Sequence, residues 1–363
     1  MEKNTFVVIM AGGIGSRFWP YSRTRYPKQF LDILGTGRTL VQQTVDRFRE
    51  LCPIENIMIV SNEEYGSLIL DQLPDILPDQ ILLEPLRKNT APCIAYANQR
   101  IGRLDPDANI IVAPSDHLIT NDQEFQRIIN QGLGFARDRD VLLTLGIMPS
   151  RPETGYGYIQ VNGQEDIDGI DCLKRVKTFT EKPNLELAKI FVESGDFYWN
   201  SGMFIWSLKA IEQAFSRHLS DMQSLFRDGA MVYGTPEESA FIKQVYGACD
   251  KISIDYGLME KADNVYVQCA DFGWSDLGTW GSLYEHLNQD EFSNAVGQSR
   301  VMVFDAARNV VSLPDGKLAV IQGLDDYIIV DTNDVLLICR KENEQQIRMM
   351  VDEVKIKLGN NYI

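Results

Sequence analysis

Short apolar runs alternate with amphipathic helical patterns along the first part of the chain. The apolar runs lie at residues 6–10, 56–60, 81–83, 109–113 and 141–146, and the stretches that separate them have the apolar spacing of helices. Parallel strands need long crossover connections, and these are usually helices. The alternation therefore predicts an α/β fold with a Rossmann-like mixed, mostly parallel sheet flanked by helices.

The helical patterns predict helices over about residues 39–51 and 125–135, and another that opens near Thr90. Thr90 has the side chain of an N-cap residue, and Pro92 follows in the first turn, where proline is tolerated. We therefore expect Thr90 to cap this helix.

The pattern becomes richer in strands from about residue 151. Strands are predicted at 156–161, 175–179, 203–206 and 265–269, and helices at 185–193 and 208–225. Residues 296–340 then form short β-like runs, and a closing helix follows near 343–358. Because 363 residues exceed the usual size of a single core, we expect a large domain at 1–290 and a small β-rich domain at 291–363.

Composition excludes several classes of protein. The chain has 35 basic and 51 acidic residues, and this balance argues against a general nucleic-acid surface. It has no apolar run of membrane-spanning length and no small-residue cleavage site near its start, so neither a membrane span nor a signal peptide is expected and we predict a cytoplasmic protein. The six cysteines form no Cys-x-x-Cys pair, so reduced, mostly buried thiols are expected.

Residues 7–30 form a cationic segment within this acidic chain. Four basic residues and no acidic residue follow the first apolar run, and Gly12, Gly13 and Gly15 lie at its end. The exposed backbone N–H groups of such a loop can bind phosphate oxygens. The alternative interpretation is that the glycines only allow the chain to turn. A dinucleotide fingerprint would need glycine at Phe18, and the Gly-Lys-Ser/Thr triplet of a Walker A loop does not occur.

Six motifs, in register over about residues 5–290, resemble those of the sugar-phosphate nucleotidyltransferases, and among them the mannose-1-phosphate guanylyltransferases. The first is Ala11-Gly12-Gly13-x-Gly15-x-Arg17-x-x-Pro20-x-Ser22, which is followed by Pro27-Lys28-Gln29-Phe30. The others are Glu84-Pro85-x-x-Lys88-Asn89-Thr90-Ala91-Pro92, Pro114-Ser115-Asp116-His117, Phe179-Thr180-Glu181-Lys182-Pro183, Trp199-Asn200-Ser201-Gly202-Met203-Phe204 and Trp274-Ser275-Asp276-Leu277-Gly278-Thr279-Trp280.

The resemblance implies a nucleotidyltransferase fold that makes GDP-mannose and pyrophosphate from GTP and α-D-mannose 1-phosphate, with Mg²⁺ as cofactor. It implies catalytic charges at Arg17, Lys28 and Lys182. The implied nucleotide-binding residues are Ala11, Gly12, Gly13, Gly15, Arg17, Lys28, Glu84, Asn89, Thr90 and Asp116. The implied metal ligands are Asp116 and Asp276. The implied sugar-phosphate-binding residues are Gly157, Glu181, Lys182, Asn200 and Asp255.

Three carboxylates also fit this chemistry by their residue type and position, independently of the resemblance. Glu84 ends a predicted strand, and a carboxylate can accept from N1–H and the exocyclic NH₂ of guanine; the other reading is a surface glutamate before a turn. Asp116 follows a strand, where ligands of open α/β sheets bind. Asp276 lies in a second loop, and two oxygen ligands together with phosphate oxygens and water suit Mg²⁺.

Two alternatives stay open. A nucleotidyltransferase that uses another nucleotide or hexose 1-phosphate would share the same phosphate-binding residues, and a regulatory protein could bind nucleotide without catalysis. No histidine follows His286, so the isomerase activity of the long bacterial form is not expected. The β-rich segment resembles the domain used for packing and dimer contacts in short forms, so a homodimer is expected.

Overall fold

The structure is a computed structural model that describes residues 4–163, 167, 169–170, 172–297 and 299–363. It contains two compact units. The first consists of Met1–Gly12, Thr44–Ser115 and Ile119–Trp274, and the second of Gly13–Gln43, Asp116–Leu118 and Ser275–Ile363. The part of the cationic segment from Gly13 onward, which carries its four basic residues, thus belongs to the same unit as the β-rich part of the chain. The domain boundary near residue 290 stays a prediction.

The strands, in chain order, are β1 (Thr5–Met10), β2 (Ile57–Asn62), β3 (Ile81–Glu84), β4 (Asn109–Pro114), β5 (Leu118–Ile119), β6 (Leu142–Ile147), β7 (Gly157–Asn162), β8 (Leu173–Glu181), β9 (Phe197–Ser207), β10 (Val265–Ala270), β11 (Trp274–Ser275), β12 (Arg300–Phe304), β13 (Val310–Ser312), β14 (Leu318–Gln322), β15 (Tyr327–Asp331) and β16 (Leu336–Arg340). The α-helices are α1 (Leu40–Phe48), α2 (Gly66–Gln72), α3 (Thr90–Leu104), α4 (Asp122–Ala136), α5 (Leu185–Ser194), α6 (Leu208–His218), α7 (Ser220–Arg227), α8 (Glu238–Ala248), α9 (Trp280–Tyr284) and α10 (Ile347–Leu358).

Nine strands of the first unit form one sheet in the order β3-β2-β1-β4-β9-β6-β10-β8-β7. The pairs β3-β2, β2-β1, β1-β4 and β6-β10 are parallel, whereas β9 is antiparallel to both β4 and β6, and β8 is antiparallel to both β10 and β7. The predicted mixed α/β class is confirmed, but the expectation of a mostly parallel sheet is wrong: among the described residues four strand pairs are parallel, three of them in the first half of the sheet, and five, including β7 with β9, are antiparallel. The carboxyl ends of β1 and β4 therefore lie at the same edge, where Met10 is paired with Pro114.

The central strands are buried on both faces, as expected for a sheet covered by helices. β2 and β6 are buried along their whole length, and the apolar face of α3 packs into the same core as β1 and β4. The second unit has its own core, in which the aromatic rings of Phe18 and Trp280 lie 5.1 Å apart. Ile347, the first residue of α10, is buried in that core.

Local structure differs from the sequence prediction at four places. Asn89, and not Thr90, caps α3, because the Asn89 side chain accepts from the backbone N–H of Thr90. The predicted helix at 208–225 is two helices, α6 and α7. The strand predicted at 203–206 is longer and begins at Phe197, so it contains the Trp199-Asn200 motif. The closing helix begins at Ile347, after a 3₁₀ segment at Lys341–Gln346.

Two further findings concern the cysteines and the length of the helices. All six cysteines are free thiols and all but Cys172 are buried, as expected. In the part of the chain that the structure describes, every helix is too short or too polar to cross a bilayer.

Candidate active site

The glycine-rich loop is held in shape by the residues that follow it. Gly15 adopts a φ of 69°, in the left-handed region, and a Cβ there would lie 2.6 Å from the Cβ of Lys28. The side chain of Gln29 donates to the carbonyl oxygen of Gly13 (2.9 Å), and the Ser22 hydroxyl donates to the carbonyl oxygen of Ile14. Gly15 is therefore required both by its backbone conformation and by the close approach of Lys28.

Lys28 is a buried lysine whose ammonium group joins three parts of the second unit. Its Nζ lies 2.7 Å from Oδ2 of Asp116 and donates to the carbonyl oxygens of Asp276 (2.8 Å) and Leu277 (3.1 Å). These three partners account for the three protons of an ammonium group. Lys28 thus fixes Asp116 and the loop that carries Asp276 in one place.

The charge of Lys28 also acts on the ionisation of Asp116. Burial alone would raise the pKa of this carboxyl, but the neighbouring Lys28 and His117 outweigh it, so the pKa is lower than usual. Asp116 therefore stays ionised at neutral pH and remains an anionic oxygen ligand.

These residues line a cleft of about 250 Å³ in the second unit. We call it the phosphate cleft, and its titratable lining residues are Arg17, Lys28, Asp116, His117, Asp276 and Arg348. Its volume is below the roughly 300–1,000 Å³ of sites that hold whole drug-sized ligands. It therefore suits a few phosphate groups better than a complete nucleotide.

The donor set of the phosphate cleft fits a magnesium ion. Asp116 and Asp276 both line it, and Asp276 Oδ1 accepts from the backbone N–H of Gly278 (2.8 Å), which fixes that carboxylate. Two carboxylates suit a cation that completes its shell with water and ligand phosphates. Among the described residues there is no cluster of three or more metal-binding side chains, so these two would need oxygen ligands from elsewhere.

Glu84 is buried in the first unit, so the reading of a surface glutamate is wrong. Its side chain is only 6% exposed, Oε1 accepts from the hydroxyl of Tyr246 (2.8 Å), and Oε2 faces the α-carbon of Gly12. Burial raises the pKa of Glu84 to about 7, although the Tyr246 hydrogen bond and Arg87 act in the opposite direction. One carboxylate oxygen is thus held by Tyr246, and the other is directed at the start of the glycine-rich loop.

Three other predicted nucleotide-binding residues have structural partners in the first unit. Ala11 extends the sheet, since its N–H donates to the carbonyl oxygen of Val60 (2.8 Å). Asn89 caps α3. The hydroxyl of Thr90 accepts from the N–H of Ile254 (2.9 Å), next to Asp255. The structure thus gives Thr90 a role in placing the segment of Asp255.

Gly157, Glu181 and Lys182 lie together in the first unit. Gly157 pairs with Glu181 across β7 and β8, and the carboxylate of Glu181 occupies the space that a Cβ at position 157 would need. Lys182 has a φ of 49° and forms an ion pair with Glu181 while its side chain stays mostly exposed. A cation and a carboxylate are therefore presented side by side at the end of β8.

Asn200 and Asp255 form the second half of this group. The amide nitrogen of Asn200 donates to Asp255 (2.8 Å), and its oxygen accepts from Thr144 (3.3 Å) and from the N–H of Gly202 (3.1 Å). Burial and the nearby charge of Glu181 raise the pKa of Asp255 to about 6. Because both ends of the Asn200 amide have protein partners, this side chain positions Asp255.

The structure therefore brings most of the predicted residues together in three groups, and Asn89 and Thr90, at the start of α3, are in none of them. Gly13, Gly15, Arg17, Lys28, Asp116 and Asp276 lie in the second unit; Ala11, Gly12 and Glu84 lie at one edge of the sheet in the first unit; and Gly157, Glu181, Lys182, Asn200 and Asp255 form the third group. Sequence reasoning missed Tyr246 and Arg348. Each lies on a helix outside the six motifs, and no local pattern marks it.

Comparison with known proteins gives consistent results along the chain. Residues 6–292 match the nucleotidyl transferase family, and residues 299–354 match a MannoseP isomerase/GMP-like beta-helix domain. Two mannose-1-phosphate guanylyltransferases, from Klebsiella pneumoniae and Escherichia coli, are each 36% identical to 98% of this chain, which covers 75% of their length. A Thermus thermophilus crystal structure described as mannose-1-phosphate geranyltransferase superposes with a TM-score of 0.84 at 30% identity, covering 97% of this chain and 99% of that one.

Proposed function

The chain belongs to the nucleotidyl transferase family and, within it, to the mannose-1-phosphate guanylyltransferases, and from this we propose that it joins GTP to α-D-mannose 1-phosphate to give GDP-mannose and pyrophosphate. The observation that carries the proposal is the phosphate cleft, in which Lys28 fixes Asp116 and the Asp276 loop beside Arg17. Both substrates are polyanions, so a site that holds them needs cations and backbone N–H groups.

The reaction requires one displacement at phosphorus. An oxygen of the sugar phosphate attacks the α-phosphorus of GTP, and the bond from that phosphorus to the bridging oxygen breaks. The electron pair of that bond leaves with pyrophosphate. Because the attacking phosphate is already ionised at neutral pH, orientation and charge neutralisation contribute more than a general base.

The second unit is proposed to bind the triphosphate. Backbone N–H groups at Gly13 and Gly15 and the guanidinium of Arg17 face phosphate oxygens, and Lys28 keeps Asp116 ionised and in place. Asp116 and Asp276 would hold Mg²⁺, which neutralises charge on the phosphates when it is bound. Lys28 is thus assigned an electrostatic and positioning role, since its protons are already donated within the protein.

We assign recognition of the guanine base of GTP to Glu84. Guanine presents N1–H and an exocyclic NH₂ on one edge, whereas adenine presents an acceptor at N1. The Glu84 oxygen that does not bind Tyr246 faces Gly12, where a base above the glycine-rich loop would be read. The carboxylate is a good acceptor only when ionised, so this preference should strengthen as the pH rises through about 7.

Sugar binding is assigned to the group at the end of β8. Lys182 is proposed to contact the phosphate of mannose 1-phosphate, and the carboxylates of Glu181 and Asp255 to accept from its hydroxyls. Asn200 orients Asp255 through the 2.8 Å hydrogen bond. The second N–H of the Asn200 amide is left to donate to a sugar hydroxyl, so Asn200 is assigned to both positioning and sugar binding.

A substrate panel tests the proposal. Four nucleoside triphosphates are combined with several hexose 1-phosphates, and pyrophosphate release is measured with and without Mg²⁺. We expect the highest kcat/KM for GTP with mannose 1-phosphate. Higher kcat/KM for another pair would identify a different nucleotidyltransferase, and nucleotide binding with no turnover on any pair would favour a regulatory protein. The homodimer and the cytoplasmic location also remain predictions.

A further inference from the structure

Arg348 is a cation of the phosphate cleft that comes from outside the nucleotidyl transferase motifs. It is the second residue of α10, in the part of the chain that matches the beta-helix domain. Helix α10 packs against the 3₁₀ turn Ser16–Phe18, which carries Arg17. Arg17 and Arg348 therefore reach the same cleft from two elements that are in contact.

The two guanidinium groups lack acidic partners. Within the described residues, neither Arg17 nor Arg348 has a side-chain hydrogen bond or an ion pair, although the chain carries 51 acidic residues. The ammonium of Lys28 in the same cleft is fully used by protein groups. The cationic side-chain donors available to a bound anion are thus those of the two arginines, beside the backbone N–H groups of the loop.

Helix stability does not explain the position of Arg348. A cation in the first turn lies at the positive end of the helix dipole, where it is unfavourable, and the first turn of α10 has no acidic residue to offset it. The segment that carries it is nevertheless firmly attached within the second unit. Glu344 accepts from the N–H of Gly281 (2.7 Å), and the indole of Trp19 donates to the carbonyl oxygen of Tyr362 (2.7 Å).

We propose that Arg348 binds the outer phosphates of the nucleotide and the departing pyrophosphate together with Arg17. A guanidinium fork can bind two phosphate oxygens at once, and two such forks suit an anion that gains charge as it leaves. This inference rests on the proposed function only in requiring that pyrophosphate be a product. It gives the beta-helix segment a direct part in substrate binding.

The test compares Arg348→Ala and Arg348→Lys with Lys355→Ala. Lys355 is an exposed cation on the same helix that does not line the cleft, so its removal makes the same change in net charge. Inorganic pyrophosphate is titrated into each protein by calorimetry, and the KM for pyrophosphate is measured in the reverse reaction. We expect affinity to fall about tenfold to a hundredfold in Arg348→Ala, less in Arg348→Lys, and not at all in Lys355→Ala. The KM for mannose 1-phosphate should not change.

The outcomes separate this inference from the proposed function. If the substrate panel identifies another nucleotide or sugar, the pyrophosphate titration still tests Arg348, because every nucleotidyltransferase of this class releases pyrophosphate. If Arg348→Ala binds pyrophosphate as tightly as the wild type, or if the wild type does not bind it, the inference is wrong. A lower melting temperature together with equal losses for both substrates would instead assign Arg348 to structure.

Discussion

Replacing Glu84 by glutamine should make the protein more stable and less selective at the same time. The folded protein raises the pKa of this carboxyl from 4.5 to about 7, chiefly by burial. Between these two values the folded state binds a proton that the unfolded state has lost, so the stability contributed by Glu84 falls as the pH rises from 4.5 to 7. A tenfold change in proton affinity is worth about 1.4 kcal/mol, so the loss amounts to about 3 kcal/mol above pH 7.

Glutamine keeps an oxygen that can accept from Tyr246 but has no charge to bury. The free energy of unfolding of Glu84→Gln minus that of the wild type should therefore grow by about 3 kcal/mol between about pH 4.5 and pH 8. Urea denaturation at a series of pH values measures this difference, with the exposed Glu50→Gln as the matched control. An equal difference at about pH 5 and pH 8 would refute the burial argument.

The same variant tests the base assignment. Its amide presents a donor to the donors of guanine, so kcat/KM for GTP should fall several-fold to a hundredfold while the value for ATP changes little. Equal losses for both nucleotides would assign Glu84 to structure alone.

Three further predictions concern the other groups. Asp116→Asn and Asp276→Asn should each lower turnover about a hundredfold or more and weaken activation in a Mg²⁺ titration, and full activity of the wild type in EDTA would contradict this. Lys182→Ala should raise the KM for mannose 1-phosphate about tenfold and lower kcat, while calorimetric binding of GTP alone stays unchanged; equal weakening of both ligands would contradict the assignment. Asn200→Ala removes a hydrogen bond that lowers the pKa of Asp255. The acid limb of the pH profile of kcat/KM for mannose 1-phosphate should therefore move above about pH 6. An unmoved limb would show that Asp255 does not act in its ionised form.

The parts of the fold that the sequence predicted are those set by local periodicity. The strands at 6–10, 109–113 and 265–269 lie within one residue of β1, β4 and β10, because each is a short segment of mainly apolar residues. The break between α6 and α7 at Leu219 was missed because the apolar spacing continues across it, although Arg217 and His218 before it and Asp221 after it are residue types that favour a helix end and a helix start. Similarly, Asn89 and Thr90 are both good cap residues, and tertiary contact of Thr90 with Ile254 decides between them.

Local sequence patterns were also insufficient to predict all of the candidate site. Asp116 and Asp276, which the motifs proposed as partners, both line one cleft, and their role as metal ligands stays a prediction. The side chains that shift the pKa of a site carboxylate can be remote from it in sequence. Tyr246, for example, donates a hydrogen bond to Glu84 from 162 residues away. A buried carboxylate and a surface carboxylate have the same local sequence, so only the folded structure shows that Glu84 titrates near neutral pH.

The composition of the second unit has a consequence for how the protein is made. Residues 13–43 are translated long before Ser275–Ile363, which form most of the rest of this unit, and the ion pair of Arg23 with Asp334 joins residues 311 positions apart. Such pairings have a high contact order and form late. During synthesis the glycine-rich segment therefore lacks most of its partners in the second unit until the strands after Ser275 and α10 have been released. A nascent chain stalled before Ser275 would have folded most of its large sheet and still have no assembled phosphate cleft.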